Sequence, residues 1–250
     1  MPWFRGLLFT IVMYGAALVL SATELLIFWA PHRWKWAVAV AWAKTCLWAG
    51  RLICGLDVST EGSENIPDAP CVFLIKHTTA LETYWQIAAL PPSVWVLKRE
   101  LLYLPVFGWA LGLVMKSIAI DRGAGASAVK QVISQGKERI ASGVSVSIFP
   151  EGTRMPPGET RRYGVSGAAL ALETGCPIVP VAHNAGDCWP KRGLAKTPGK
   201  IRFCIGPPII PGDQTPKELN LVAQEWIEGK MHEISSLYKD RANFGEKFGR

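Results

Sequence analysis

The chain has 250 residues and a formal net charge of +7. With 49% hydrophobic residues, 19% charged residues and eleven Trp, it is more apolar than an ordinary soluble protein. Its length allows one domain with a substantial core and an appendage. The positive charge suits lipid headgroups or phosphorylated substrates. Nucleic acid is disfavoured as a partner, because Lys and Arg are dispersed and no recognition motif is present.

The N-terminal segment is long and apolar enough to cross a bilayer. It is almost continuously apolar over residues 6–22 and resumes at residues 25–30 after a single charge, Glu24. A cleaved signal peptide is the alternative, since Arg5 precedes the apolar run and Leu20-Ser21-Ala22 resembles a cleavage site. A second apolar segment follows and the cysteine usage is cytosolic in type, so we expect a membrane anchor.

The second segment, residues 34–56, interleaves Trp with Lys and Arg, which is typical of a helix at the membrane interface. The two segments could form one span plus a surface helix, or a hairpin in one leaflet. Arg5 lies on one side of the first segment and Arg33 and Lys35 on the other, so the charge bias is weak. It favours the cytoplasm as the side that carries the rest of the chain, and we expect attachment to the inner (cytoplasmic) membrane. We assign residues 1–58 to a hydrophobic helical membrane anchor.

Residues 59–250 are predicted to form the globular domain, which begins near the polar connection at residues 60–70. Short apolar runs predict strands at residues 71–75, 94–97, 117–120, 144–149, 178–182 and 201–205. Helical patterns occur at residues 81–90, 102–115, 127–141, 166–174 and 216–238. Strands that alternate with helices predict an α/β fold with a mixed, largely parallel sheet flanked by helices. The Lys-, Arg- and Gly-rich C-terminus is predicted to be a loose tail.

Several familiar catalytic patterns are absent from the sequence. There is no Gly-x-Ser-x-Gly elbow, no Gly-rich phosphate loop ending in Lys-Ser or Lys-Thr, and no His-x-x-His or Cys-x-x-Cys metal pattern. The six Cys form no close pair and several lie in apolar runs. We therefore expect reduced, buried thiols, and neither a disulfide framework nor a zinc site is implied.

A polar turn follows one predicted strand. Residues 149–154 read Phe-Pro-Glu-Gly-Thr-Arg, and Pro150 and Gly152 force the backbone to turn. The polar side chains of this turn lie at a strand end, where open α/β sheets usually bind ligands. They are Glu151, Thr153 and Arg154. An ordinary solvated turn is the alternative for this hexapeptide alone.

A second polar cluster, Lys76-His77-Thr78-Thr79-Ala80-Leu81-Glu82, directly follows another predicted strand. On one continuous helix, His77 and Glu82 would lie roughly 140° apart, so they can meet only if His77 precedes the helix. A carboxylate bonded to one imidazole nitrogen raises the basicity of the other, which can then take a proton from an alcohol. A capping His with a surface Glu is the alternative. Without a protein nucleophile, the pair indicates direct attack by a substrate hydroxyl.

A third polar group consists of Lys98 and Arg99, which end the predicted strand at residues 94–97. Adjacent Lys and Arg at a strand end suit a phosphate, which Arg can bind with two hydrogen bonds. A solvated corner is the alternative for these two residues alone.

Taken together and in this order, the motifs resemble those of the glycerolipid acyltransferases of phospholipid biosynthesis, most closely the bacterial 1-acyl-glycerol-3-phosphate acyltransferases. Residues 77–82 resemble the family's His-x4-Asp block, with Glu82 where most members carry Asp. The later blocks are matched by residues 98–101 with Pro105 and Gly108, by residues 149–154 and by Val179-Pro180-Val181. The resemblance covers roughly residues 60–210.

This resemblance implies transfer of a fatty acyl group from acyl-CoA or acyl carrier protein to the sn-2 hydroxyl of lysophosphatidic acid, which gives phosphatidic acid. His77 would be the general base, and Glu82 would hold the imidazole. No metal or prosthetic group is needed. Arg154, Lys98 and Arg99 would bind the acceptor's phosphate, while Glu151 would hold its glycerol hydroxyls or order the loop. The implied substrate-binding residues are Lys98, Arg99, Glu151, Gly152, Thr153 and Arg154, with Thr153 mainly structural.

Other functions are compatible with the same residues. An acyltransferase could use a different acceptor, such as a lyso-ornithine lipid or glycerol-3-phosphate, and a remodelling transacylase is a further alternative. A membrane lipid-binding or scaffold protein could carry an inactive His-Glu pair. A hydrolase is disfavoured, since it would have to activate water without the expected nucleophile or metal.

Overall fold

The computed structural model describes residues 2–121, 123, 125–190 and 193–238, so the predicted C-terminal tail lies outside the described residues. Two helices open the chain, α1 (Pro2–Leu26) and α2 (His32–Ala49). The strands are β1 (Leu56–Glu61), β2 (Val72–Ile75), β3 (Ser93–Lys98), β4 (Ile118–Ile120), β5 (Ser145–Ile148), β6 (Ile178–His183) and β7 (Gly199–Ile205). The remaining helices are α3 (Leu81–Ala89), α4 (Phe107–Trp109), α5 (Ala126–Ala141), α6 (Ser166–Thr174), α7 (Ala185–Cys188) and α8 (Pro216–Ile234).

The strands form one mixed, largely parallel sheet, as predicted, in the order β1-β7-β6-β2-β5-β3-β4. Neighbouring strands pair in parallel except β6 and β7, which pair antiparallel. Strands β6, β2, β5, β3 and β4 therefore all point the same way. Their carboxyl ends, and the turns that follow them, lie at one edge of the sheet.

The central strands β2, β5 and β6 are buried on both faces, and side chains alternate between the two faces along each strand. In β2, Phe73 and Ile75 pack with α1, α2 and α3, whereas Val72 and Leu74 pack with α5, α6 and α8. All six Cys are free and buried, which confirms the prediction from their spacing.

The two N-terminal segments form helices that are long and apolar enough to cross a membrane, Pro2–Leu26 and Arg33–Cys54. The second includes α2 and a π-helical turn, Gly50–Cys54. The chain then leaves the helix at Gly55, whose φ of 71° is in the left-handed region that favours glycine. Large apolar side chains of α1 are exposed: Trp3, Phe4, Leu8, Ile11, Tyr14, Leu18 and Val19. This composition is compatible with membrane anchoring.

Strand β1 was not predicted from the sequence. Leu56 is its one buried residue, and its partner β7 is distant in the chain, with Leu56 opposite Gly199. The predicted domain boundary between residues 58 and 59 falls inside this strand. The sheet therefore begins within the segment that was assigned to the anchor.

The helix predicted at residues 102–115 is confirmed only over residues 107–114. The structure has a 3-10 turn (Arg99–Tyr103), the short helix α4 and a π-helical turn (Ala110–Val114). Pro105 lacks the N–H that an interior helical residue donates, and Val106 has a φ of 64° in the left-handed region. These two neighbours prevent one continuous helix.

The C-terminal helix α8 ends at Ile234 and not at residue 238. The Ser235 hydroxyl donates a hydrogen bond to Asp187 Oδ1 at 2.6 Å, and the Ser236 N–H donates to Oδ2 at 2.8 Å. These contacts with α7 draw the chain out of the helix into extended backbone.

Helix α8 begins with a capping box. The Glu218 N–H donates to Thr215 Oγ1 at 3.3 Å, and the Thr215 N–H donates to Glu218 Oε2 at 2.7 Å. Two backbone donors at the helix start are thereby satisfied.

Replacing Thr215 by Ala should lower the free energy of unfolding by about 1 kcal/mol, because the N-cap acceptor is lost. Thermal unfolding of the detergent-solubilised protein would measure this effect. Thr215→Ser keeps the hydroxyl and should unfold close to wild type. Equal losses in both variants would contradict the role of the cap.

Candidate active site

The two polar clusters predicted from the sequence meet at one edge of the sheet. Strands β2 and β5 pair in parallel, so residues 76–82 and 149–154 follow neighbouring strand ends. The His77 N–H donates to Glu151 Oε2 at 2.7 Å, and the His77 imidazole stacks on Phe149 with ring centroids 4.1 Å apart. The two clusters are therefore in direct contact.

His77 and Glu82 are in contact. His77 lies in the turn before α3, Glu82 lies in the first turn of that helix, and His77 Nδ1 is 2.8 Å from Glu82 Oε1. A carboxylate can only accept, so Nδ1 donates and Nε2 is left with its lone pair. Nε2 has no hydrogen-bond partner among the described residues, and the His77 side chain is 12% exposed. The imidazole can therefore accept a proton from a bound molecule.

The Glu82 carboxylate is fully buried and accepts several further hydrogen bonds. The N–H groups of Thr78 and Thr79 donate to Oε1 at 3.0 and 2.9 Å, and the Thr79 hydroxyl donates to Oε2 at 2.6 Å. Burial alone would raise the pKa of Glu82, but the hydrogen bond with His77 and those from Thr79 outweigh it and lower this pKa to about 2. Glu82 is therefore ionised at neutral pH.

A second buried histidine, His183 at the end of β6, was missed in the sequence. Its Nε2 donates to the Lys76 carbonyl at 2.7 Å, and its Nδ1 accepts the Ala185 N–H at 3.3 Å. Burial lowers the pKa of His183, which favours the neutral imidazole. The ring lies 3.9 Å from Glu82 Oε2 and fixes the backbone just before His77. The sequence feature that could have identified His183 was a polar residue directly after an apolar predicted strand.

Helix α3 is fixed to the sheet by Trp85. The indole Nε1–H donates to Thr60 Oγ1 at 2.8 Å, and the indole ring stacks on Phe203 with centroids 4.2 Å apart. This contact lies one turn after Glu82. The position of the carboxylate is therefore fixed by the packing of the whole helix.

Glu151 points into the protein and not toward solvent. Its Oε1 lies 2.6 Å from Lys76 Nζ, and its Oε2 accepts the His77 N–H. Burial raises the pKa of Glu151 to about 7, with Lys76 opposing the shift. Of its two expected roles, ordering the loop fits this geometry, whereas binding glycerol hydroxyls does not. Gly152 follows with a φ of 69°, which permits the tight turn.

The predicted phosphate-binding residues lie at the same edge of the sheet. Lys98 ends β3, which neighbours β5, and it forms an exposed ion pair with Glu100 at 2.9 Å. Arg99 is exposed at the start of the next turn, and Thr153 and Arg154 are exposed after Gly152. Burial raises the pKa of Tyr84 on α3, and the nearby Arg154 guanidinium opposes that rise. Arg154 therefore lies within electrostatic reach of the helix that carries Glu82.

The residues matching the fourth block, 179–181, form the buried middle of β6. Val179 and Val181 belong to the core beside α1 and α2, and the Pro180 carbonyl accepts the Gly206 N–H at 2.8 Å. Within the part of the chain that the structure describes, no group of three or more His, Cys, Asp or Glu could hold a metal ion.

Comparison with known proteins identifies the family. Residues 57–184 match the family model described as Acyltransferase. A 1-acyl-sn-glycerol-3-phosphate acyltransferase of Pseudomonas aeruginosa is 42% identical over 238 residues, which cover 93% of this chain and 92% of that protein. Another from Borreliella burgdorferi is 32% identical over 140 residues, or 55% of each chain.

The fold is also that of a solved structure. The crystal structure of the 1-acyl-sn-glycerophosphate (LPA) acyltransferase PlsC from Thermotoga maritima superimposes with a TM-score of 0.78 at 24% identity. The match covers 93% of this chain and 97% of that chain. The family model and the similarity to the Pseudomonas protein confirm the resemblance seen in the motifs: the chain belongs to the acyltransferase family and is an O-acyltransferase of the 1-acylglycerol-3-phosphate type.

Proposed function

We propose that this protein transfers a fatty acyl group from acyl-CoA or acyl carrier protein to the sn-2 hydroxyl of lysophosphatidic acid. The product is phosphatidic acid. The observation that carries the proposal is the contact between His77 Nδ1 and Glu82, which leaves Nε2 as a base beside a basic edge of the sheet. The Pseudomonas and Borreliella relatives, both named 1-acyl-sn-glycerol-3-phosphate acyltransferases, support this acceptor.

In the proposed reaction, His77 Nε2 takes the proton of the acceptor hydroxyl while its oxygen attacks the thioester carbonyl. A C–O bond forms, and negative charge develops on the carbonyl oxygen. Backbone N–H groups near the first or third block would stabilise that charge. Collapse of this intermediate breaks the C–S bond, and the imidazolium returns its proton to the departing thiolate. The ionised Glu82 stabilises the imidazolium between the two steps.

The acceptor's phosphate would bind to Arg154 with Lys98 and Arg99, whose charged side chains are exposed at the same edge. Gly152 and Thr153 would shape the loop that presents Arg154. The two apolar helices support attachment to a membrane, where the acceptor and the product reside as lipids. The proposed location is the inner membrane, with the site facing the cytoplasm. The proposed mechanism includes no metal or prosthetic group.

Acyl transfer by purified, detergent-solubilised protein from labelled palmitoyl-CoA to lysophosphatidic acid tests the reaction. His77→Ala should lower kcat by at least about a hundredfold, because the general base is lost. Parallel assays should include glycerol-3-phosphate, a lyso-ornithine lipid and an acyl carrier protein donor. Strong preference for another acceptor would correct the substrate. No transfer to any acceptor would overturn the proposed activity.

Glu82→Gln should lower kcat by on the order of a thousandfold, because the neutral amide no longer stabilises the imidazolium. It should also lower the unfolding temperature, since the amide NH2 would face donors from Thr78 and Thr79. Steady-state kinetics and thermal unfolding measure the two effects. A variant with wild-type kcat would show that the carboxylate does not assist His77.

Arg154→Ala should mainly raise the KM for the acceptor, because a phosphate contact is lost while the His77 dyad is untouched. Kinetics at varied acceptor and fixed donor concentration would measure this. Lys137→Ala, on the exposed side of α5, is the control for loss of one surface charge. A fall in kcat without any change in KM would argue against phosphate binding by Arg154.

A further inference from the structure

A buried charge cluster surrounds Lys76, the residue that precedes His77. The Lys76 side chain is fully buried, and its Nζ lies 2.6 Å from Glu151 Oε1 and 2.8 Å from Glu228 Oε1. Nζ also donates to the Glu159 carbonyl at 3.3 Å. An ammonium group without water must be paired and hydrogen-bonded, and here two carboxylates and a carbonyl surround it.

Glu228 connects this cluster to the C-terminal part of the chain. It lies on α8, and the Tyr163 hydroxyl donates to its Oε1 at 2.6 Å. The Tyr238 hydroxyl donates to its Oε2 at 2.8 Å and is also 3.2 Å from the Glu159 carbonyl. Both oxygens of Glu228 thus accept a tyrosine hydroxyl, and Oε1 also contacts Lys76 Nζ.

Glu151 connects the same cluster to the catalytic turn. One of its oxygens lies on Lys76 Nζ, and the other accepts the His77 N–H at 2.7 Å. The Met155 N–H donates to the His77 carbonyl at 2.8 Å, so the loop after Glu151 holds His77 at both ends of its backbone. The position of His77 therefore depends on where Lys76 holds Glu151.

We propose that Lys76 is a positioning residue for acyl transfer. Its ion pair with Glu228 fixes the Lys76 side chain, which in turn positions Glu151. Glu151 then holds the His77 backbone so that the imidazole stays in contact with Glu82. This role rests on the proposed function, in which His77 is the base. The contacts form an unbroken chain from α8 through Lys76 and Glu151 to the His77 backbone. A displacement of about 1 Å at a reacting group can cost about a hundredfold in rate, so such a chain of contacts can control kcat.

A buried ion pair can also serve stability alone, and the two roles predict different behaviour. Removing Lys76 leaves two buried carboxylates without their cation, which is strongly destabilising. Removing the charge of Glu228 in addition relieves most of that penalty. The Gln oxygen can accept from one of the two hydroxyls, Tyr163 or Tyr238, and the amide NH2 can donate to the hydroxyl oxygen of the other. Stability then returns while the link between Lys76 and Glu151 stays broken.

The experiment compares Lys76→Met, Lys76→Met/Glu228→Gln and wild type by kinetics and by thermal unfolding in the same detergent. The double variant should regain most of the lost unfolding temperature. Its kcat should stay at least about tenfold below wild type, with the KM values within about threefold, because binding groups are unchanged. Recovery of kcat in step with unfolding temperature would overturn the proposal. If Lys76→Met does not fold, the double variant decides alone.

Val132→Ala is the matched control, because it destabilises the core packed on the opposite face of the sheet, away from α3. Its kcat should remain at the wild-type value below its unfolding temperature.

A readout independent of turnover separates this proposal from the proposed function. The rate of His77 modification by diethyl pyrocarbonate, followed by mass spectrometry, reports the surroundings of the imidazole. It should change in Lys76→Met/Glu228→Gln and not in Val132→Ala. If the wild-type protein transfers no acyl group, the proposed function fails. The modification rate still tests whether Lys76 positions His77. An unchanged modification rate in the double variant would overturn that role.

Discussion

The need to keep one buried carboxylate ionised determines the structure around the site. Glu82 has no contact with water, so its charge is stabilised by protein donors alone. The turn before α3 supplies them: Thr78 and Thr79 direct backbone N–H groups inward, and Thr79 adds its hydroxyl. His77 Nδ1 completes the set and thereby acquires a fixed tautomer and orientation. The hydrogen bonds that stabilise the buried charge of Glu82 thus include the one that orients the His77 imidazole to act as a base.

The apolar helices are part of this arrangement, because they pack on the element that carries Glu82. Trp42 of α2 contacts Tyr84 of α3 edge-on, with ring centroids 5.1 Å apart. Phe9 of α1 packs in the same hydrophobic cluster as the strands of the sheet. Helices α1 and α2 therefore belong to the same hydrophobic cluster as the buried face of α3.

The sequence predicted the features that depend on interactions between residues close together in the chain. Apolar runs and alternating patterns predicted six of the strands within a few residues, and the spacing of His77 and Glu82 predicted a turn followed by a helix. Local patterns failed where distant partners decide the outcome. Strand β1 exists because β7 pairs with it, and Lys76 is buried because Glu228 neutralises it from α8. In the sequence, Lys76 is merely a polar residue beside a histidine.

The pairing of Lys76 with Glu228 also bears on how the protein is made. The two residues are 152 positions apart, so at ordinary rates of translation roughly 8 to 30 s separate their synthesis. During that interval the anchor helices already exist, while the lysine behind the catalytic turn still lacks a carboxylate from α8. The charge cluster around Lys76 can therefore form only after α8 has been synthesised and has packed against the rest of the domain.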